Sequence, residues 1–301
     1  MATAVLASVW RQVTARVARQ VEFGDGHWWL DLDVPAPFDA PMPGQFMQLL
    51  LDGTATGSLL PRPMSVAGAV PHDGGWRVSF LYAPVGQGTR SLARLRAGDR
   101  VEALGPLGHG FPLEAKGTPV LIAGGRGVAP LLFAADMLAR ADGARGARPA
   151  RRSEFLFGAR SADQLVGLDD ARERLERADG ALHVCTDDGS VGMHGNVLQL
   201  LEREVAEFRA PIVIHACGPH GMLRAIALWA IAHDVRAHLA MESVMACGTG
   251  VCRGCPLPRS AAGRKAWTSA MPSLFGNAEH AMCCTEGPVF EARDLDWEHV
   301  S

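Results

Sequence analysis

Five of the seven cysteines of this 301-residue chain lie in two short stretches close to its C-terminus. In MACGTGVCRGC, Cys247, Cys252 and Cys255 have the spacing C-x4-C-x2-C, and the adjacent pair Cys283 and Cys284 follows. This is the spacing of plant-type [2Fe–2S] centres, in which four thiolates hold two irons and two sulfides. The alternatives are a pair of disulfides or a structural zinc site, which usually has two C-x2-C pairs where this segment has one.

Glycines lie between the cysteines of the first stretch. Gly248, Gly250 and Gly254 would let the backbone wrap closely around a cluster and aim its N–H groups at the sulfurs. The two remaining cysteines lie in or just after apolar runs that favour strands. Cys185 is interpreted as a small buried hydrophobic residue, whereas Cys217 is either structural or close to a bound nicotinamide.

Three regions with different sequence patterns must position these residues. Residues 1–115 contain short β-favouring runs separated by turn signals, which predict an antiparallel barrel. In residues 116–237, apolar strand patterns alternate with helical ones, which predicts a Rossmann-like α/β domain with a parallel sheet. Residues 238–301 show little periodicity and predict a small loop domain that needs a metal or disulfides to hold its shape.

Two motifs in the predicted barrel suit a flavin dinucleotide. In RPMS, Arg62 offers a guanidinium fork for a phosphate, and Ser65 offers a hydroxyl that could reach a flavin ring nitrogen. Further along, Gly86, Gly88 and Thr89 could open a short helix whose N-terminal amides face a pyrophosphate. A plain loop is the alternative for the two glycines.

Two further motifs in the α/β region indicate a dinucleotide site. LIAGGRGVAPLL reads as strand, glycine turn and helix, in which Gly124, Gly125 and Gly127 leave space for a dinucleotide. A second strand ends in HACGP, at the sheet edge where ligands bind in open α/β sheets. Its candidate binding residues are Cys217, Gly218 and Pro219. For each motif, a tight strand-to-helix connection is the alternative.

Composition excludes several classes of function. A net charge of −3 and only 6% aromatic residues disfavour a nucleic-acid partner. No apolar run approaches the roughly eighteen residues of a membrane span. The cysteines are not spread as a disulfide framework, which favours a reducing cytoplasm. The arginine-containing, acid-free first twenty residues could form a transit peptide, but the rough alternation over 10–21 equally predicts a first strand.

The order of motifs resembles a known family over nearly the whole chain. PGQF, RPMS, GQGT, GPLGHGF, GGRGVAP, DDGSVGMHG, ACGPHGML, ESVMACGTGVCRGC and CTEGPVF resemble the electron-transfer subunit of NAD-dependent dihydroorotate dehydrogenase, in the ferredoxin reductase superfamily. The resemblance implies a Greek-key FAD barrel, an NAD-type α/β domain and a C-terminal [2Fe–2S] segment. It also implies electron transfer from an FMN-containing catalytic subunit, through the cluster and FAD, to NAD+ in pyrimidine biosynthesis, within a heterotetramer.

The resemblance also implies residue roles. The implied cluster ligands are Cys247, Cys252, Cys255 and Cys284, the last preferred over Cys283 because it stands before x-x-Gly-Pro-Val-Phe. Ser65 and Cys217 are the candidate catalytic residues, where flavin and nicotinamide would meet. The implied FAD-binding residues are Arg62, Pro63, Met64, Ser65, Leu81, Tyr82, Ala83, Gly88 and Thr89.

This chain departs from the family pattern in two places. Between Cys255 and Cys284 lie 28 residues, roughly a dozen more than the family usually has, and Ala123 stands where a glycine is usual. These departures leave open a reductase subunit of another complex, of the ferredoxin:NADP+ transhydrogenase or hydrogenase type, or a redox-sensing module without turnover. The choice between NAD and NADP also stays open, because Arg160 and Ser161 end a strand where an acid would favour the ribose hydroxyl.

Overall fold

The structure, a computed structural model, describes residues 10–51, 60–144, 152–267 and 276–300, with the backbone alone at 141–144. Its first part is a closed antiparallel barrel with the strand order β1-β2-β5-β4-β3-β6. This confirms the predicted barrel. The strands are β1 (Arg11–Glu22), β2 (Trp28–Val34), β3 (Phe46–Leu50), β4 (Arg62–His72), β5 (Gly75–Tyr82) and β6 (Arg100–Leu107).

Strand alternation divides the RPMS motif between two faces of the barrel. Met64 and Val66 point into the barrel core, whereas Pro63 and Ser65 are exposed on its outer face. The register with β3 places Ser65 opposite Phe46 and Pro63 opposite Gln48. Because successive residues of a strand face opposite sides, the outer face of β3 and β4 presents these residues to whatever packs against it.

The second part is a mostly parallel sheet with the order β10-β9-β8-β7-β11-β12-β15, which confirms the predicted α/β fold. The order reverses between β7 and β11, which is the position where open α/β sheets bind ligands. The strands are β7 (Thr118–Gly124), β8 (Glu154–Ala159), β9 (Ala181–Thr186), β10 (Met193–His194), β11 (Ile212–Cys217), β12 (Arg236–Ala240) and β15 (Val289–Glu291).

In the described part of the chain, four helices follow strands of this sheet, a short one lies in the barrel region and two short ones lie in the C-terminal segment. Among the described residues they are α1 (Gln87–Leu92), α2 (Val128–Ala144), α3 (Leu168–Arg177), α4 (Val197–Glu204), α5 (His220–Ala232), α6 (Ala261–Ala266) and α7 (Cys283–Glu286). Helix α2 packs against barrel strand β4, and its Phe133 is buried within the barrel's hydrophobic cluster. The barrel and the sheet therefore share a core, which fixes their relative position.

The C-terminal segment leaves the sheet at the end of β12 and returns to it as β15. Between these strands lies a two-stranded ribbon of β13 (Pro256–Pro258) and β14 (His280–Met282). Strand β15 pairs with β12 antiparallel, with Ala240 opposite Val289. The predicted domain boundary at 237/238 thus falls inside a strand of the sheet, and the division into three domains stays a prediction.

The N-terminal stretch forms a strand where the structure describes it. Arg11–Glu22 is β1, paired with both β2 and β6. Residues 1–9, which belong to the alternative of a transit peptide, lie outside the described residues. No helix in the described part of the chain is both long and apolar enough to span a bilayer.

Two histidines lie side by side inside the sheet. His215 on β11 is the register partner of His238 on β12, and their rings stack with centroids 5.5 Å apart. The edge of Phe111, which follows the barrel, packs against His215. The His215 Nδ1 and His238 Nε2 atoms are buried and have no hydrogen-bond partner among the described residues. Burial lowers the pKa of His215 to about 3, and burial with the nearby Arg236 lowers the pKa of His238 to about 4.

These histidines predict acid sensitivity. Their ordinary pKa is about 6.5, so below that pH the unfolded chain binds protons that the folded chain cannot, and stability falls with falling pH. At pH 5 we expect a loss of roughly 2 kcal/mol of unfolding free energy per histidine relative to pH 7.5. Urea unfolding of the parent and of a His215→Leu/His238→Leu variant at both pH values measures this loss. The double variant should lose most of the pH dependence, and the exposed-site control His299→Gln should keep it; equal dependence in all three would contradict the assignment.

Candidate functional site: a cysteine cluster beside two cavities

The first two cysteines of the C-terminal cluster form a pair within one tight loop. The backbone N–H groups of Thr249 and Cys252 each point at Cys247 Sγ, with N···S distances of 3.5 Å. The Gly254 N–H points at Cys252 Sγ, at 3.4 Å. Amides aimed at sulfurs stabilise thiolates, which is the form that binds iron.

The other two ligand candidates form a second pair at the base of the ribbon. Cys255 immediately precedes β13, and Cys284 is the second residue after β14. The pairing of the two strands therefore brings the Sγ atoms of Cys255 and Cys284 within 3.2 Å of each other. The Cys284 N–H also points at Cys255 Sγ, at 3.4 Å. Cys283, by contrast, directs its Sγ at the carbonyl of Met241, 3.8 Å away. This orientation favours Cys284 over Cys283 as the fourth ligand.

The electrostatics of the cluster differ from cysteine to cysteine. Burial tends to raise the pKa of Cys247, but the N–H groups of Cys252 and Thr249 outweigh it and lower that pKa to about 7. The hydrogen bond between the sulfurs of Cys255 and Cys284 lowers the pKa of Cys255 to about 6. The same hydrogen bond raises the pKa of Cys284, because one proton is shared between the two sulfurs. Each pair therefore contains one sulfur that readily becomes a thiolate.

The four cysteines are arranged as two pairs. Within the described part of the chain, no group of three or more His, Cys, Asp or Glu side chains converges on one point. A [2Fe–2S] centre takes four cysteine thiolates, so Cys247 with Cys252 and Cys255 with Cys284 would hold its two irons. The donor set, its N–H cradle and its pairing are therefore suited to [2Fe–2S].

The extra length between Cys255 and Cys284 is accommodated at the far end of the ribbon. Helix α6 packs against the C-terminal turn Ala292–Asp294, and residues 268–275 lie outside the described residues. A buried ion pair joins Arg259 of this segment to Glu286 of α7. The ribbon base fixes the distance between the two cysteines, so additional residues at its tip do not alter it.

A cavity of about 280 Å³ lies where the barrel meets the sheet edge. It brings together Ser65 and Pro63 from β4 with Cys217 from the end of β11. The two candidate catalytic residues, far apart in sequence, thus face one space. Burial, and then the carboxylate of Glu242, raise the pKa of Cys217, so its thiol stays neutral.

The other predicted FAD residues lie around the barrel without lining this cavity. The side chains of Met64 and Tyr82 are buried in the barrel core, so toward a cofactor they can offer only backbone atoms or, for Tyr82, a hydroxyl that already donates to Gln20 at 3.3 Å. Thr89 caps α1 by accepting from the Gly86 N–H at 3.0 Å. The remaining members of the set are Arg62, half-buried at the start of β4, Leu81 and Ala83 at the end of β5, and Gly88, buried in α1.

A second cavity of about 760 Å³ follows the carboxyl edge of the parallel sheet. Its lining includes all the predicted nicotinamide-domain glycines. Only Gly125, at φ +51, leaves open space where a side chain would be; a side chain at Gly127 would overlap the carbonyl of Cys217, and one at Gly124 would meet Met222 and Pro219. Gly125 therefore leaves room for a ligand, whereas Gly124 and Gly127 allow the close approach of β7, β11 and the residues that follow β11. The predicted residues on this edge are Gly124, Gly125, Gly127, Gly218 and Pro219.

Several residues at these cavities were not found from the sequence. Glu242 follows β12 and lines both cavities, and also a third groove beside the cysteine loop. Asp25 and His27, from the β1–β2 turn of the barrel, reach the larger cavity. The ESVMACG motif could have drawn attention to Glu242, but nothing in the sequence indicates that a barrel turn meets the sheet edge.

Comparison with known sequences finds a domain family for the α/β part and relatives that match over most of their length. An oxidoreductase NAD-binding domain matches residues 121–227. The relative from Desulforamulus reducens is 30% identical over 90% of this chain and 93% of its own length, and that from Shouchella clausii is 32% identical over 95% and 98%. A third, from Geobacillus thermodenitrificans, is 34% identical over 84% and 86%. All three are named dihydroorotate dehydrogenase B (NAD(+)), electron transfer subunit.

Solved structures agree on the fold. An NADH-dependent reduced ferredoxin–NADP oxidoreductase superimposes with a TM-score of 0.74 at 24% identity, covering 100% of this chain and 93% of that one. The Amycolatopsis cytochrome P450 reductase GcoB gives 0.58 at 28% identity, covering 74% and 67%. The barrel and sheet are thus those of the ferredoxin reductase-like fold.

The thiol environments predict an order of chemical labelling. In the metal-free protein at pH 7.5, iodoacetamide should modify the exposed Cys252 and the half-buried Cys247, whose pKa is about 7, before the other cysteines. Cys185, Cys217 and Cys283 should react only on unfolding, because burial raises the pKa of each. Peptide mass spectrometry after timed quenching measures the order; labelling of Cys217 as fast as Cys247 would contradict the structure.

Proposed function

The chain belongs to the family of electron transfer subunits of NAD-linked dihydroorotate dehydrogenase B, and we propose that it passes electrons from an FMN-containing catalytic subunit to NAD+ in pyrimidine biosynthesis. The fold and the NAD-binding domain make it an oxidoreductase subunit that uses FAD and NAD(P), and an iron–sulfur centre is typical of its family. The thiols that such a centre needs favour a cytoplasmic location.

One observation carries the proposal: the cavity that Ser65 and Cys217 line adjoins the cysteine loop. We place the flavin ring at this cavity and call it the flavin-facing cavity. Met245 lines the cavity with Ser65 and Cys217, and two residues later the chain reaches Cys247. Bound FAD would exchange a hydride with NAD+ and single electrons with a [2Fe–2S] cluster. An isolated zinc module or a plain NAD-dependent dehydrogenase has no use for this adjacency.

The chain's own residues would bind and orient the reactants. Pro63 and Ser65 on the outer face of β4 would hold the flavin ring, with Ser65 as a hydrogen-bond partner. The nicotinamide would lie against Cys217, Gly218 and Pro219 at the end of β11. The shared core of barrel and sheet would hold these residues beside the flavin. The neutral thiol of Cys217 adds no charge where a hydride must pass.

The partner subunit would dock on the cysteine loop. Val244 precedes this loop and Val251 lies within it, and they are 81% and 72% exposed. Cys252, next to Val251, is exposed too. Large exposed apolar residues beside a redox centre are what a partner buries to exclude water and shorten the path between centres. The ribbon base lines the adjoining groove, so the longer segment of this chain would border that interface.

Reconstitution tests the proposal. The chain, mixed with an FMN-containing dihydroorotate dehydrogenase subunit, should reduce NAD+ when dihydroorotate is supplied, and neither protein alone should do so. Val251→Lys should lower this rate about tenfold or more through lost docking, while NADH reduction of a small dye stays unchanged. Leu228→Lys, an exposed apolar position on α5, is the control and should affect neither rate. Dye reduction without dihydroorotate-linked activity would indicate a reductase serving another partner.

The cluster ligands give a second prediction, which compares substitutions at two adjacent cysteines. Parent protein purified without oxygen should contain about two irons per chain and a paramagnetic signal after dithionite reduction. Cys284→Ser should lose the iron and keep FAD, because the barrel that binds FAD is untouched. Cys283→Ser should keep both, since its sulfur faces the carbonyl of Met241. The reverse pattern would reassign the fourth ligand, and zinc in the parent would remove the electron-transfer role.

Cys217 gives a third prediction, with a matched control in the same sheet. Cys217→Ser should slow flavin reduction by NADH about tenfold, because small displacements at the hydride path are costly. Cys185→Ser changes a thiol that is equally buried, but at the end of β9 and away from the flavin-facing cavity, and should leave the rate unchanged. Stopped-flow absorbance of the flavin measures both, and equal rates would make Cys217 structural.

A further inference from the structure

Gln48 lies between the flavin-facing strand and the cysteine loop. It is fully buried on the outer face of β3, where Pro63 of β4 is its register partner. The neighbouring outward residue Phe46 belongs to the same hydrophobic cluster as Met245, Cys255 and Cys284. Burying an amide among apolar side chains costs free energy unless the amide is hydrogen-bonded, so the hydrogen bond that Gln48 makes indicates its role.

The amide of Gln48 holds the peptide that connects the two redox sites. Its Nε2 donates to the carbonyl of Met245 at 2.9 Å. Met245 lines the flavin-facing cavity, and Cys247, two residues on, is the first cysteine of the cluster. The hydrogen bond therefore fixes the short backbone bridge from cavity to cluster against the barrel strand.

The loop is shaped around this side chain. Gly248, at φ +74, lies over the amide, and a Cβ there would come within 2.7 Å of Gln48 Cγ and 2.8 Å of Nε2. Gln48 Oε1 is buried with no hydrogen-bond partner among the described residues. The glutamine is thus held by its contact with the loop, at the cost of one unpaired oxygen, which is hard to explain if it served barrel stability alone.

We propose that Gln48 is a positioning residue that sets the distance and contact between the flavin and the cluster, and so the rate at which electrons pass between them. The proposal rests on the function proposed above. Gln48 would contact neither the flavin nor the cluster. It would act through the Met245–Gly248 backbone, which it contacts. Loss of its hydrogen bond would leave the FAD strand and the four cysteines in place but would free the bridge between them.

The test separates loop position from cofactor binding. In Gln48→Met, which is similar in volume and has no donor, FAD and iron contents should equal those of the parent, and NADH should reduce the flavin at a rate within about twofold of it. Subsequent reduction of the cluster should slow about tenfold, and amide hydrogen exchange over 245–250 in the cofactor-loaded protein should quicken about tenfold, equivalent to about 1.4 kcal/mol. Gln12→Met, at an exposed glutamine of β1, should change neither.

Three outcomes decide the matter. Slower cluster reduction with faster exchange supports the proposal, and Gln48→Asn, which keeps a shorter donor, should then fall between the parent and Gln48→Met. Cluster reduction at the parental rate overturns it. Loss of iron from both Gln48 variants also overturns it, because Gln48 would then serve cluster assembly. Parent protein with no iron would instead defeat the proposed function, and the exchange measurement would still report on the hydrogen bond.

Discussion

The pairing of β12 with β15 is the constraint on which the site depends. The cysteine segment leaves the sheet after Ala240 and re-enters it at Val289, and these two residues are register partners. The Met241 N–H also donates to the carbonyl of Pro288 at 2.8 Å. Some fifty residues of low periodicity therefore begin and end at one point of a rigid sheet edge, beside the cavity that Cys217 faces. Loop segments need such anchoring, because ordering a backbone costs about 1–2 kcal/mol per residue.

Within that closed segment, short local elements do the remaining positioning. The ribbon β13–β14 sets Cys255 against Cys284, and the buried Arg259–Glu286 pair ties the ribbon to the turn that carries Cys284. The glycine-rich loop supplies amides to Cys247 and Cys252. The ribbon fixes one pair of sulfurs and the glycine-rich loop fixes the other, and the sheet edge fixes the two pairs relative to each other. A cluster of two irons fits this division, since each iron needs only its own pair.

Sequence reasoning predicted the elements well where the signal was local. Cysteine spacing, the alternation of strands with helices and the glycine turns each depend on neighbouring residues, and the barrel and parallel sheet follow from them. It could not predict that β12 and β15 pair, because a three-residue strand such as Val289–Glu291 has no periodicity of its own. It also missed Gln48 and Glu242, whose roles come from contacts with residues distant in the chain. The contact of Gly127 with the carbonyl of Cys217 was not visible in the sequence for the same reason.

The shared core of barrel and sheet holds the two cavities and the cysteine segment in fixed relative positions. Phe133 of α2 is buried in the barrel cluster, and Phe46 and Leu107 of the barrel are buried in the cluster that contains the cysteines. These contacts are apolar and extensive, unlike the polar interfaces of domains that move against each other. Under the function proposed above, this arrangement would let electrons pass without a hinge motion, and only the nicotinamide would enter and leave. The site of that exchange would be the larger cavity, which follows the sheet edge and is bounded on its barrel side by the β1–β2 turn at Asp25 and His27.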